Sequence, residues 1–87
     1  MDAASLLHQI IRAELESFRA LFKKEPTAIV IDKSLIDRFW TGPVNDDFFG
    51  VPATVNTKDV DHGYIVISGG GDKSYTPVLT ILNRYFN

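Results

Sequence analysis

The chain contains no cysteine in its 87 residues. That removes disulfide bridging and thiolate metal ligation, leaves the fold to be held by side-chain burial and hydrogen bonding, and fits a reducing, cytoplasmic setting. Long apolar runs are missing as well. No stretch approaches the ~20 apolar residues of a membrane span, and the N-terminus lacks the basic segment and apolar core of a secretion signal, so no membrane partner is expected. Positive charge is scarce: nine Lys and Arg stand against eleven Asp and Glu, a formal net charge of −2. A phosphate backbone finds no global attraction in such a chain, and nucleic acid is disfavoured as a partner. Arg12, Arg19, Lys23 and Lys24 gather late in the first segment, but Glu14, Glu16 and Glu25 dilute them. Neither Gly nor Pro is in excess and 45% of the residues are hydrophobic, a composition that argues for one small folded domain over residues 1–87 and against disorder.

What is present reads first as a helix. Leu7, Ile11, Leu15, Phe18 and Phe22 recur at spacings of three and four, widened by Leu6, Ile10 and Leu21, the stripe of an amphipathic helix from Ala3 to Lys24. Asp2 is placed to cap its start, Lys23 and Lys24 suit the negative end of its dipole, and Pro26 forbids continuation. "TAIVID" is a β-branched run that suits a buried strand at Ala28–Ile31. Asp32 or Ser34 then caps a short helix carrying Leu35, Ile36, Phe39 and Trp40 on one side, ended by Gly42-Pro43. "TGPVNDD" reads as a surface loop. "FFGVPATVN" alternates as a half-buried strand, with Pro52 assigning it to an edge or a bulge, and "YIVIS" supplies another; the two read together as a hairpin with a long polar loop. In "TPVLTILNRYF", Thr76 as cap and Pro77 at the first helical position favour a C-terminal helix, against a competing strand suggested by Val78, Thr80 and Ile81. The fold class predicted is α+β: a long N-terminal helix on a small, mainly antiparallel sheet, a short helix between strands and a C-terminal helix.

The stretch "ISGGGDKSYT" brings glycines next to Asp72, Lys73 and Ser74. A phosphate loop places Gly directly before its Lys-Ser pair and opens a helix there. Here Asp72 occupies that place, and its carboxylate repels phosphate. Gly69, Gly70 and Gly71 therefore predict a flexible connector, exposed enough to touch a partner.

Catalytic and metal signatures are weak. Asp59, Asp61 and His62 fall within four residues and Asp46 and Asp47 precede Phe48, but the alternation and terminal Glu of a calcium loop are absent, and two histidines supply too few nitrogen ligands for zinc without Asp. Turn-forming aspartates explain the same residues. The five serines show no nucleophile elbow. No cofactor and no catalytic residue is assigned; a small ligand- or metal-binding protein or enzyme using the Asp59–His62 and Gly69–Ser74 loops remains the alternative.

Aromatic residues are many for so small a core, and interfaces enrich them. The residues assigned as interaction candidates are Trp40, Phe48 and Phe49 around the "NDDFFG" loop, and Gly70, Lys73 and Tyr75 around the glycine loop. A protein partner, or a second copy in a homodimer through an uncovered edge strand, is the expected ligand.

The succession "RAELESF", "EPTAIVID", "FFGVPATVN" and "GYIVIS", over residues 12–68, resembles small, mostly uncharacterised proteins encoded by phages and prophages. The shared features concern turns and burial, so no site residue is transferred. What the resemblance implies is an accessory or assembly role in a mobile element.

Overall fold

In the computed structural model, which describes residues 2–86, the first helix, α1, spans Ala3–Phe22. Asp2 caps it, its carboxylate accepting the Ser5 amide at 2.7 Å, and that hydrogen bond holds the Asp2 carboxyl below its ordinary value. Leu7, Ile11, Leu15 and Phe18 are fully buried along one stripe. The helix stops earlier than the sequence suggests: Lys23 turns left-handed, φ 57°, and donates its amide to the Arg19 carbonyl. The reversal feeds the chain through Pro26 into the sheet.

The elements that follow are β1 (Ala28–Asp32), α2 (Lys33–Phe39), β2 (Asp47–Phe48), β3 (Val51–Asn56), β4 (Ile65–Gly69), β5 (Asp72–Thr76) and α3 (Val78–Phe86). The strands form one sheet in the order β2-β3-β1-β4-β5. Only the β1–β3 pairing is parallel; the others are antiparallel. This is the α+β arrangement expected. α1 and α2 pack on the sheet and α3 packs on both of them, over a core in which Ile29, Ile31, Ile65 and Ile67 are completely buried. Burying each such side chain contributes about 1.5–3 kcal/mol, and it is the contiguity of the α1 stripe with these four isoleucines that makes one core. The opposite face carries the alternate residues, in a cross-strand row Thr54, Val30, Val66, Tyr75.

Three sequence expectations are corrected. "FFGVPATVN" and "YIVIS" are not a hairpin: β1 lies between β3 and β4, bonded to both. Period-2 alternation identifies a strand but carries no information on its neighbour. β3 finds its hairpin partner on its other side, in β2, through the turn Phe49-Gly50, so part of the tract read as loop is strand. Pro52 sits opposite Asp47, one residue before the β1 pairing begins at Ala53, where its missing amide costs no bond to β1.

The glycine stretch, in turn, is no loose connector. Gly70 and Gly71, at φ 56° and 88°, form a two-residue turn whose left-handed backbone matches the twist of the flanking strands, with Gly69 pairing to Asp72. A Cβ at Gly69 would stand 2.5 Å from the Glu25 carbonyl oxygen, so this position is glycine because the α1–β1 connection crosses directly against it. Finally, Thr76 does not cap α3; it ends β5, paired with Ile65. The C-terminal segment is the helix favoured by its sequence: Val78, Thr80 and Ile81, which suggested a competing strand, all lie in α3, and the strand after the glycine turn ends at Thr76. Among the described residues no helix is long and apolar enough to cross a membrane.

Candidate interaction surface

The β2–β3 hairpin folds against the N-terminal half of α1 because its two phenylalanines point opposite ways. Phe48 turns inward and is 1% exposed, with Trp40 and His8 set edge-on at ring-centroid distances of 5.7 and 5.3 Å. Its assignment as an interaction candidate is therefore corrected: strand alternation sends Asp47 to solvent and Phe48 under α1. Phe49, the first residue of the turn, is 44% exposed at φ 53°. Bulky side chains rarely occupy this left-handed region, which costs an L-residue roughly 1–2 kcal/mol; Asn, Asp or Gly is the usual occupant of such a turn. The Phe49 ring is flanked by His8 at 4.7 Å and by the Arg12 guanidinium at 5.9 Å.

Trp40 is half-buried at the end of α2, its Nε1 donating to the Pro43 carbonyl at 3.1 Å. Two shallow grooves meet at it. One, of 380 Å³, is lined by Asp2, Ser5, His8 and Gln9; the other, of 220 Å³, by Arg38, Phe39 and Thr41. Phe49 and Trp40 do not stack on each other but are joined through His8 and Phe48, an aromatic ridge with Arg12 beside Phe49 and Arg38 lining a groove at Trp40.

Gly70, Lys73 and Tyr75 lie elsewhere, at the opposite edge of the sheet. Gly70 is a turn residue, its carbonyl accepting Lys24 Nζ at 2.9 Å. Lys24 also reaches Asp72 at 2.8 Å, pinning the hairpin tip to the end of α1; a pair this exposed contributes about 0.2–1 kcal/mol. Lys73 and Tyr75 are exposed on the outer face of β5. With Phe48 buried, the five remaining candidates divide into two surfaces.

The Asp59–His62 segment and the Gly69–Ser74 hairpin stand at opposite ends of β4 and form no common site. The residue that matters near the first of them is Asp32, 3% exposed. It caps α2, accepting both the amide and the hydroxyl of Ser34, and also accepts the Gly63 amide at 2.8 Å. Burial works to raise its carboxyl, but the bonds from Gly63 and Ser34 and the nearby His62 together hold it below its ordinary value. Thr57, Lys58, Asp59 and His62 complete a 250 Å³ cleft beside it. No group of three metal-ligating side chains occurs among the described residues. The sequence left the cap open between Asp32 and Ser34, and gave no sign of the bond from Gly63 to Asp32 or of His8 and Arg12 beside Phe49, because these contacts join residues distant in the chain.

Comparison with known protein families, with curated proteins and with solved structures finds no match.

Proposed function

We propose that this chain is a non-catalytic protein-interaction or assembly module, serving a mobile genetic element as an accessory protein, and that it meets its partner through the ridge of Phe49 and Trp40. The observation that carries this reading is Phe49: a large apolar ring, nearly half exposed, kept in a left-handed turn position where a smaller polar residue would fold more easily. Strain retained at an exposed residue points to a task other than folding. Arg and aromatic residues are also the types that dominate contact energies at interfaces, and here Arg12 stands over the Phe49 ring.

A ligand or metal site in the Asp32–His62 cleft has less support. Asp32 Oδ2 already accepts from Ser34 and Gly63, Lys33 is paired with Asp37, and no three metal-ligating side chains gather among the described residues. Thermal-shift screening with metals and nucleotides tests that alternative, since a ligand at a hundred times its Kd stabilises by ~2.7 kcal/mol. Affinity capture with the parent chain, Phe49→Asn and the remote exposed control Tyr85→Ser tests the proposal. Capture retained by the control and lost by Phe49→Asn supports it; capture indifferent to Phe49 contradicts it.

A further inference from the structure

The β5 strand closes one edge of the sheet, and among the described residues no strand lies beyond it. The opposite edge is different, because β2 is only two residues long. β5 pairs with β4 from Gly69↔Asp72 to Ile65↔Thr76. Across a two-residue turn, the pair flanking the turn exchanges both of its hydrogen bonds and every second pair does so after it. Asp72, Ser74 and Thr76 therefore spend their amides and carbonyls on β4, while those of Lys73 and Tyr75 point outward.

We propose that β5 is a self-association edge: a second copy of this chain aligns its β5 antiparallel to this one about a two-fold axis at Ser74, joining two sheets into one. This extends the interaction-module reading to a specific partner. The charges and the prolines select the register. An axis at Lys73 sets two ammonium groups opposite each other, which is unfavourable. An axis at Tyr75 sets Lys73 opposite Pro77 of the partner subunit, which has no amide to give. With the axis at Ser74, Lys73 faces the partner's Tyr75 and Tyr75 faces the partner's Lys73. Each of these pairs exchanges both outward hydrogen bonds, and each puts an ammonium beside an aromatic ring. Asp72 then meets the partner's Thr76, so no carboxylates oppose. Tyr75, 51% exposed in the single chain, gains cover.

A lone Lys on a free edge also has a contrary role, as a guard against pairing. The two roles predict opposite effects of removing its charge. Sedimentation velocity from low to high micromolar concentration should show the parent chain in a monomer–dimer equilibrium, weakened in Lys73→Ala. Lys73→Pro removes only an outward amide, and losing that bond twice per dimer should weaken association at least about tenfold. Because proline also alters strand geometry, a second variant fixes the register. The chain has no cysteine, so Ser74→Cys introduces one thiol placed directly opposite its twin, ~4.5 Å between Cα atoms, a separation that a disulfide spans. Mild oxidation should convert Ser74→Cys to a covalent dimer much faster than the exposed control Thr54→Cys. A parent that stays monomeric throughout, tighter association in Lys73→Ala, or equal cross-linking of the two thiols overturns the proposal. A monomeric chain that still captures a partner through Phe49 overturns this inference alone; a dimer that captures nothing through Phe49 overturns the ridge and leaves the edge.

Discussion

Asp32 accepts the Gly63 amide at 2.8 Å across 31 positions of sequence, and Gly63 in turn accepts the Leu79 amide at 2.9 Å. One carboxylate and one glycine thereby join the β1–α2 junction, the loop before β4 and the first turn of α3. This chain of bonds ties the end of the sheet to the first turns of α2 and α3, beside the core that Leu35, Ile65 and Val78 share.

Replacing that carboxylate strands several donors at once. Asp32→Ala removes the cap of α2, typically ~1 kcal/mol, and leaves the buried Gly63 amide unpaired, a further ~1–3 kcal/mol. Urea unfolding should show a loss of roughly 2–4 kcal/mol, with Asp32→Asn losing less because its carbonyl still accepts.

The same group sets an acid dependence. Its carboxyl lies below the ordinary value of 3.8 in the folded chain, so the folded state favours the ionised form. Its contribution is present in full above that ordinary value and is lost as the pH falls toward and through the lowered folded value. Unfolding of the parent and of Asp32→Asn across pH should show a constant gap near neutrality that narrows on acidification below 3.8.

Gly63 tolerates no side chain. Its φ is 74°, and an added Cβ would stand 2.6 Å from Leu79 Cβ. Gly71 has a similar φ of 88° but open space where a Cβ would go. Gly71→Ala should therefore cost only the backbone penalty, about 1–2 kcal/mol, and Gly63→Ala clearly more, read as the difference between urea midpoints.

Much of the fold was legible from residue spacing. The α1 stripe, its Asp2 cap, a cap at Asp32 or Ser34 and the β-branched runs of β1 and β4 each declare an element locally, and each element forms, with Asp32 as the cap of α2. What the spacing could not supply was which strand lies beside which: β1 between β3 and β4 is decided by the shared burial of Ile29, Ile31, Ile65 and Ile67, a property of the assembled core. The "GGGDKS" run misled in another way. Glycines suggest looseness, yet each of the three meets a distinct local demand, a close approach at Gly69 and two left-handed positions at Gly70 and Gly71. Among the site residues, aromatic content singled out Trp40, Phe48 and Phe49 together, but only strand alternation at β2 separates the buried Phe48 from the exposed Phe49.

That separation allows the central claim, that Phe49 is held at the surface for contact and not for stability, to be tested without knowing the partner. The measurement is the urea unfolding free energy of Phe49→Asn, with Phe48→Ala as the reference for a core ring, expected to lose roughly 3–5 kcal/mol. Relief of the left-handed backbone offsets the lost ring contacts, each about 1 kcal/mol, so the account predicts a stability for Phe49→Asn within about 1 kcal/mol of the parent or above it. A loss of more than about 2 kcal/mol, approaching that of Phe48→Ala, would make Phe49 a core residue and contradict the account.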